Sequence, residues 1–166
     1  MVAIAPEILH LFISPGHNYF GHHGREPEAF PLSEVDAIGC VAGCGIKGDR
    51  FFNYKPDYPG QVTFFADEHY QELCAQLDVY SKSPAVLRRN IITRGVDLGG
   101  LVGVDFEIQG VRFRGRQEAR PCYWMDQAFA PGAELALQGK GGLRAEVLSD
   151  GWLHRTARVS AAVPLA

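Results

Sequence analysis

Cys122 follows Pro121 near the end of the run Gln117–Trp124, QEARPCYW. The proline fixes its own φ and removes a backbone donor, so the thiol sits at a stiff turn rather than inside a strand ladder. Arg120 lies two residues before it, with Arg116 and Arg114 further up the same run. Positive charge nearby favours the thiolate, the form that attacks electrophiles and binds metals. A free cysteine is also among the most often buried side chains, and there it is inert. The residues alone leave both readings of Cys122 open.

Gly45–Arg50, GIKGDR, sets two glycines around Lys47 and follows them with Asp49 and Arg50. Its backbone N–H groups, Lys47 and Arg50 suit a phosphate, although the spacing is not that of a P-loop. Arg88-Arg89-Asn90 adds two guanidinium groups at a helix-to-strand switch. Their planar forks match carboxylate and phosphate. The plainer reading of both segments is surface ion pairing. His17, His22 and His23 share one loop, HNYFGHHGREPEAFP. Imidazole suits zinc, copper, nickel or iron. Adjacent side chains on an extended segment point apart, so His22 and His23 do not hold one ion together. The loop either caps backbone groups or presents one histidine, His17, to a ligand as a proton donor. Cys40 and Cys44 lack the second half-site that structural zinc requires, and read as core or surface thiols. No paired carboxylates, Ser/His/Asp order or dinucleotide fingerprint stands out.

These groups need elements to hold them. Glu7–Ser14 reads as a first strand, stopped by Pro15-Gly16, and short strands are expected at Val35–Val41 and Gly45–Gly48. Gln61–Phe65 has the β-branched and aromatic content of a strand. Asp67–Leu77 reads as a helix capped by Asp67, with Tyr70, Leu73, Cys74 and Leu77 on one face. Ser83-Pro84 opens a short helix through Arg88, and Asn90–Thr93 returns to strand. Asp105–Ile108 and Val111–Glu118 flank Gln109-Gly110 and form a hairpin. In its second strand Val111 and Phe113 face one way, and Arg112, Arg114 and Arg116 the other. Tyr123–Phe129 is a short helix, Gly139–Gly142 a loop, and Leu143–Leu148 with Trp152–Val159 the closing strands. Many short strands with two or three small helices predict one β-rich domain built as a barrel.

The 166 residues suffice to bury a core. A net charge of −3 argues against a general attraction to nucleic acid or membrane. Four lysines against twelve arginines suit an anionic small ligand, or reflect a GC-rich genome. Four cysteines form no disulfide framework, and the N-terminus lacks the basic segment and cleavage site of a signal peptide. The expected compartment is the reducing cytoplasm.

In order and approximate spacing, GIKGDR, GQVTFFADE, LRRNIITRGVDLGGLVG, FEIQG, ARPC and GGLRAEVLSDG resemble the MOSC domain, named for the C-terminal part of molybdenum cofactor sulfurase. The resemblance covers about Val35–Val159 and suggests a small stand-alone bacterial member with the MOSC-type β-barrel. It implies one functional cysteine, Cys122, acting as molybdenum ligand in relatives that reduce N-hydroxylated compounds. It further implies a molybdenum–molybdopterin cofactor held by Lys47, Asp49, Arg50, Arg89, Asn90 and Arg120, with His17 nearby. The partners implied are the cofactor, a small-molecule substrate and a separate electron donor. The alternative is a carrier of persulfide sulfur on Cys122, loaded by a cysteine desulfurase, or of the cofactor itself. Larger cofactor-binding relatives add an N-terminal β-barrel domain, whereas only a short segment precedes Val35 here.

Overall fold

Strand β9 (Val111–Glu118) buries Val111, Phe113 and Gly115 and exposes Arg112, Arg114 and Arg116, the period-two pattern of a sheet with one wet face. It belongs to a computed structural model that describes residues 1–18 and 28–156. The other strands are β1 (Val2–Ala3), β2 (Glu7–Ile13), β3 (Ser33–Val35), β4 (Ala37–Val41), β5 (Gly45–Ile46), β6 (Val62–Ala66), β7 (Ile91–Arg94), β8 (Asp105–Ile108), β10 (Leu143–Val147) and β11 (Gly151–His154). The helices are α1 (Asp67–Leu77), α2 (Trp124–Ala128) and α3 (Ala133–Ala136), with 3₁₀ turns at Pro84–Leu87 and Gly99–Leu101.

Eight strands form one sheet in the order β1-β8-β9-β10-β6-β7-β2-β3, and β11-β4-β5 form a second. The fold is β-rich, as the sequence implies. Its sheets are not closed into a barrel by hydrogen bonds: β1 pairs only with β8 and β3 only with β2, which leaves two edges among the described residues. The small sheet covers the open side instead. The chain crosses from β3 to β4 over the single residue Asp36, and the N–H of Thr156 donates to the Ile8 carbonyl at 2.8 Å, tying the end of β11 to β2. Between the sheets lies a core of Ile8, Leu11, Ile38, Ile46, Val62, Phe64, Phe106, Phe113 and Leu153. The Phe64 ring meets Phe106 and Phe113 edge-on at 5.7 and 5.4 Å between centroids.

A second core covers the other face of β6, β7 and β2. There Phe12, Phe65 and Ile92 meet Leu73 and Cys74 of α1, Leu87, Met125, Phe129 and Leu137. Strands β6 and β7 are parallel, and such a pair needs a crossover, which contains α1. Ala66 rather than Asp67 occupies the N-cap of α1. Asp67 is drawn into the first turn because its carboxylate accepts from Arg94 Nη2 at 2.7 Å, and there it still complements the helix dipole. The β8–β9 hairpin turns on Gln109 and Gly110, both with positive φ (51° and 82°). That is the conformation of the tight turns that match strand twist.

Candidate functional site

The segment carrying Cys122 is anchored on both sides. Upstream, the N–H of Ala119 donates to Gly142 O at 2.8 Å, and Arg89 Nη2 donates to Ala119 O at the same distance. The remaining Arg89 nitrogens extend the clamp, Nε to Gly141 O and Nη1 to Leu87 O, each at 3.0 Å. Gly141 lies flush beneath: a Cβ there would stand 2.3 Å from Ala119 O and 2.9 Å from Pro121 Cδ. Downstream, the N–H of Met125 donates to Cys122 O at 2.9 Å, starting α2, and Trp124 Nε1 donates to Val86 O at 2.8 Å. Between these anchors Cys122 is exposed.

The thiol lies on a cavity of about 320 Å³. Among the described residues five guanidinium groups line it, from Arg50, Arg88, Arg89, Arg120 and Arg144. Rings of His17, Phe51 and Tyr58 and of Tyr123 and Trp124 supply apolar and stacking surface. Arg50, Arg88 and Arg89 are oriented largely by oxygens that carry no full charge. Arg88 Nη1 donates to Phe30 O at 2.7 Å and Nη2 to Gly16 O at 2.8 Å, while Arg50 Nη2 donates to Arg88 O at 3.2 Å. Among the described residues the one carboxylate engaged is Asp49, on Arg50 Nη1 at 3.2 Å. Each guanidinium has five N–H donors, so all three keep some for a ligand.

Burial lowers the three cations but does not discharge them. Arg88 is pushed down to about 10 by desolvation, then by Arg50, with Asp49 opposing. Desolvation also takes Arg89 to about 10, followed by repulsion from Arg144, while the nearby Cys122 sulfur acts the other way. Arg50 falls by desolvation against the pull of Asp49 and Tyr58. His17 sits edge-on to Phe51 at 4.8 Å and is lowered from 6.5 by desolvation first, then by Arg50 and Arg88. It is therefore neutral at pH 7.

Of the residues expected to act together, Cys122, His17, Arg50, Arg89 and Arg120 share this cavity. Asn90 and Asp49 lie behind it, in a closed network. Buried Asn90 accepts from the Thr63 N–H and hydroxyl at 3.1 and 2.9 Å, and donates to Phe12 O and Asp49 Oδ1, both at 3.2 Å. Asp49 Oδ1 also accepts from the Ser14 N–H at 3.1 Å. Lys47 is exposed beside Gly39 on the small sheet, outside the cavity lining. His22 and His23 lie outside the described residues. Cys40 and Cys74 are core thiols, and burial pushes Cys40 up to about 12. Cys44 is half-buried. Among the described residues no three His, Cys, Asp or Glu side chains are grouped to hold a metal ion.

Arg144, Phe51, Tyr58, Tyr123 and Trp124 line the cavity without having been singled out by the sequence. Arg144 sits in a segment that reads only as a strand. The aromatic wealth of Phe51–Tyr58 was the one available signal for that wall.

A family model described as "MOSC domain" matches residues 52–160. None of the curated proteins matches the chain. Among solved structures, the YuaD protein of Bacillus subtilis is 17% identical with a TM-score of 0.66, over 90% of this chain and 91% of that one. YiiM of Escherichia coli is 18% identical (TM-score 0.60, 93% of this chain and 71% of that one). YiiM of Geobacillus stearothermophilus is 13% identical (TM-score 0.63, 95% and 78%). These likenesses establish the fold. No helix among the described residues is long and apolar enough to cross a membrane. With two thirds of its length under the family model, the chain belongs to the MOSC domain family.

Proposed function

We propose that the cavity binds a molybdenum–pterin cofactor, that Cys122 is its protein ligand to the metal, and that the loaded protein reduces N-hydroxylated compounds. The observation that carries this reading is an exposed thiol beside a cavity lined by five arginines and several aromatic rings. The fit is chemical on each count. A soft thiolate suits the metal. Fixed guanidinium donors suit a phosphate. Aromatic faces suit a planar polar ring.

Arg50, Arg88 and Arg89 would hold the phosphate with their remaining donors, from orientations already set by backbone carbonyls, so little side-chain entropy would be lost on binding. Arg89 also fixes the turn that aims Cys122. Asn90 and Asp49 serve as buried supports for Ser14 and Arg50 rather than as ligands. Lys47 has no part in the proposed site. His17, neutral at pH 7, relays a proton rather than storing one. The cofactor supplies the two-electron couple that removes an oxygen atom. The balance is R–NHOH plus two electrons and two protons giving R–NH₂ and water, with the electrons from a separate redox protein. Turnover of an N-hydroxylated amidine with a reduced viologen as electron source tests the reading: activity is expected in the wild type and absent from Cys122→Ala.

The exposure of Cys122 favours a second reading, that of a sulfur carrier. A persulfide on a cysteine desulfurase would pass its outer sulfur to the Cys122 thiolate, leaving the donor as thiol and Cys122 as persulfide. Mass spectrometry after incubation with desulfurase and cysteine tests this, a 32 Da increment (about one sulfur) on Cys122 being the expected product.

A further inference from the structure

On the wet face of β9 and β10, Arg114 and Arg116 have carboxylate partners, whereas Arg112 at one end and Arg144 and Arg120 at the other have none among the described residues. Arg114 is held by Asp105 through two bonds, Nε to Oδ1 at 2.6 Å and Nη2 to Oδ2 at 2.9 Å. Arg116 reaches Glu146 at 3.6 Å. A register shift between β9 and β10 pairs Arg144 with Gln117 and Ala145 with Gly115, so Arg116 is the extra residue of a bulge. Arg144 and the exposed Arg120, at the Cys122 end, make no side-chain hydrogen bond or ion pair among the described residues. Both line the Cys122 cavity and also a neighbouring hollow of about 350 Å³, shared with Gln117 and Glu118. Glu118 is the one carboxylate there among the described residues, and its Oε1 accepts from the Gly141 N–H at 3.2 Å. Arg144 also repels Arg89, so positive charge is in excess around the hollow.

We propose that Arg120 and Arg144 form an anion subsite beside Cys122 that takes a carboxylate or phosphate substituent of the substrate. This rests on the reading of the cavity as a cofactor site, and names the substrate class: N-hydroxylated compounds carrying a negative charge at a distance from the N–OH group. Two unpaired forks lining one hollow match a planar carboxylate or a phosphate. Their place in both cavities puts a group bound in the hollow beside the thiol. The inner arginines, oriented by carbonyls, are left to the cofactor's phosphate.

The test compares benzamidoxime, which is neutral, with 4-carboxybenzamidoxime, by calorimetric binding and by turnover, on protein from a host rich in molybdenum cofactor. In low-salt buffer the carboxylated compound is expected to bind about tenfold more tightly than its parent. Arg144→Gln should cut that ratio, and Arg120→Gln/Arg144→Gln should bring it to about one. Both substitutions sit on the wet side of the fold, and an unchanged melting temperature verifies that the variants are folded. Equal affinities in the wild type, or a ratio preserved in the double variant, would overturn the subsite. So would loss of molybdenum from the double variant, which would place the cofactor's own phosphate on these arginines. If no protein holds molybdenum and neither compound is reduced, the cofactor reading fails, and the binding ratio alone then decides the subsite.

Discussion

Arg89 Nη2 donates to the carbonyl of Ala119 at 2.8 Å, three residues ahead of Cys122 in the chain. One half-buried guanidinium thus ties the turn that presents the thiol to Gly141 and to Leu87, segments that the sequence keeps far apart. Arg89→Ala would strand three carbonyls and remove a half-buried side chain. The expected destabilisation is about 2–4 kcal/mol, a fall in Tm on the order of 5–10 °C. Arg89→Lys should recover only part, because an ammonium lacks the fork that spans three acceptors. Thermal melts of both variants check this, and a fall of under ~2 °C for Arg89→Ala would show that the clamp is dispensable.

Gly141 has no room for a side chain. The Cβ of Gly141→Ala would meet Ala119 O and the Pro121 ring, so the Cys122 turn must move or the loop unfold locally. A loss of about 1–3 kcal/mol is expected, with faster alkylation of Cys122 than in the wild type. Iodoacetamide kinetics read by mass spectrometry would show it, and unaltered kinetics with unaltered Tm would contradict the close approach.

Asn90→Asp should be among the most damaging single changes outside the hydrophobic cores. It removes both amide donors, to Phe12 O and Asp49 Oδ1, and sets a second carboxylate against Asp49 in a buried site. The expected loss is about 3–5 kcal/mol at pH 7, partly recovered at acid pH as one carboxyl takes up a proton. Chemical denaturation at pH 7 and pH 5 measures both effects.

His17 sets a pH dependence whose sign follows from its lowered folded-state value. Desolvation is the main cause, and Arg50 and Arg88 add to it against Asp49 and Glu28. Above 6.5 the ring is neutral in both states and its share of stability is fully present. As pH falls from 6.5 toward the folded value, only the unfolded chain takes up the proton, and stability is lost. Melts of wild type and His17→Gln between pH 7.5 and 5 (roughly the histidine range) should diverge in slope, the variant being flatter. Parallel curves would remove His17 from this role.

Local chemistry made much of this molecule legible. Helix α1 occupies Asp67–Leu77 as its periodicity indicates, and Leu73 and Cys74 are buried on the expected face. The hairpin turn at Gln109-Gly110 and the exposed arginines of β9 follow from dipeptide and alternation alone. Cys122, His17, Arg50, Arg89 and Arg120, which the family resemblance grouped, line one cavity. Depth and partnership were not legible. Asn90 looks like Arg89's neighbour in the sequence, yet just before β7 it turns into the core, held by Thr63, Phe12 and Asp49, while Arg89 lines the cavity. Arg144 carried no local signal because its value comes from a cross-strand register and a bulge. Barrel closure was beyond sequence patterning too, since it turns on which edges pair, and here a three-stranded sheet covers the gap.

The central claim is that Cys122 holds a molybdenum cofactor in this cavity, and molybdenum per chain by elemental mass spectrometry tests it most directly. Wild type and Cys122→Ala would be purified side by side from a host rich in the cofactor, with melting curves recorded for both. Because Cys122 is exposed and its turn is held by Arg89 and by backbone bonds rather than by the thiol, the variant should melt within about 2 °C of the wild type. The account predicts close to one molybdenum per wild-type chain and almost none in the variant. Equal metal in both, or none in either, would contradict it.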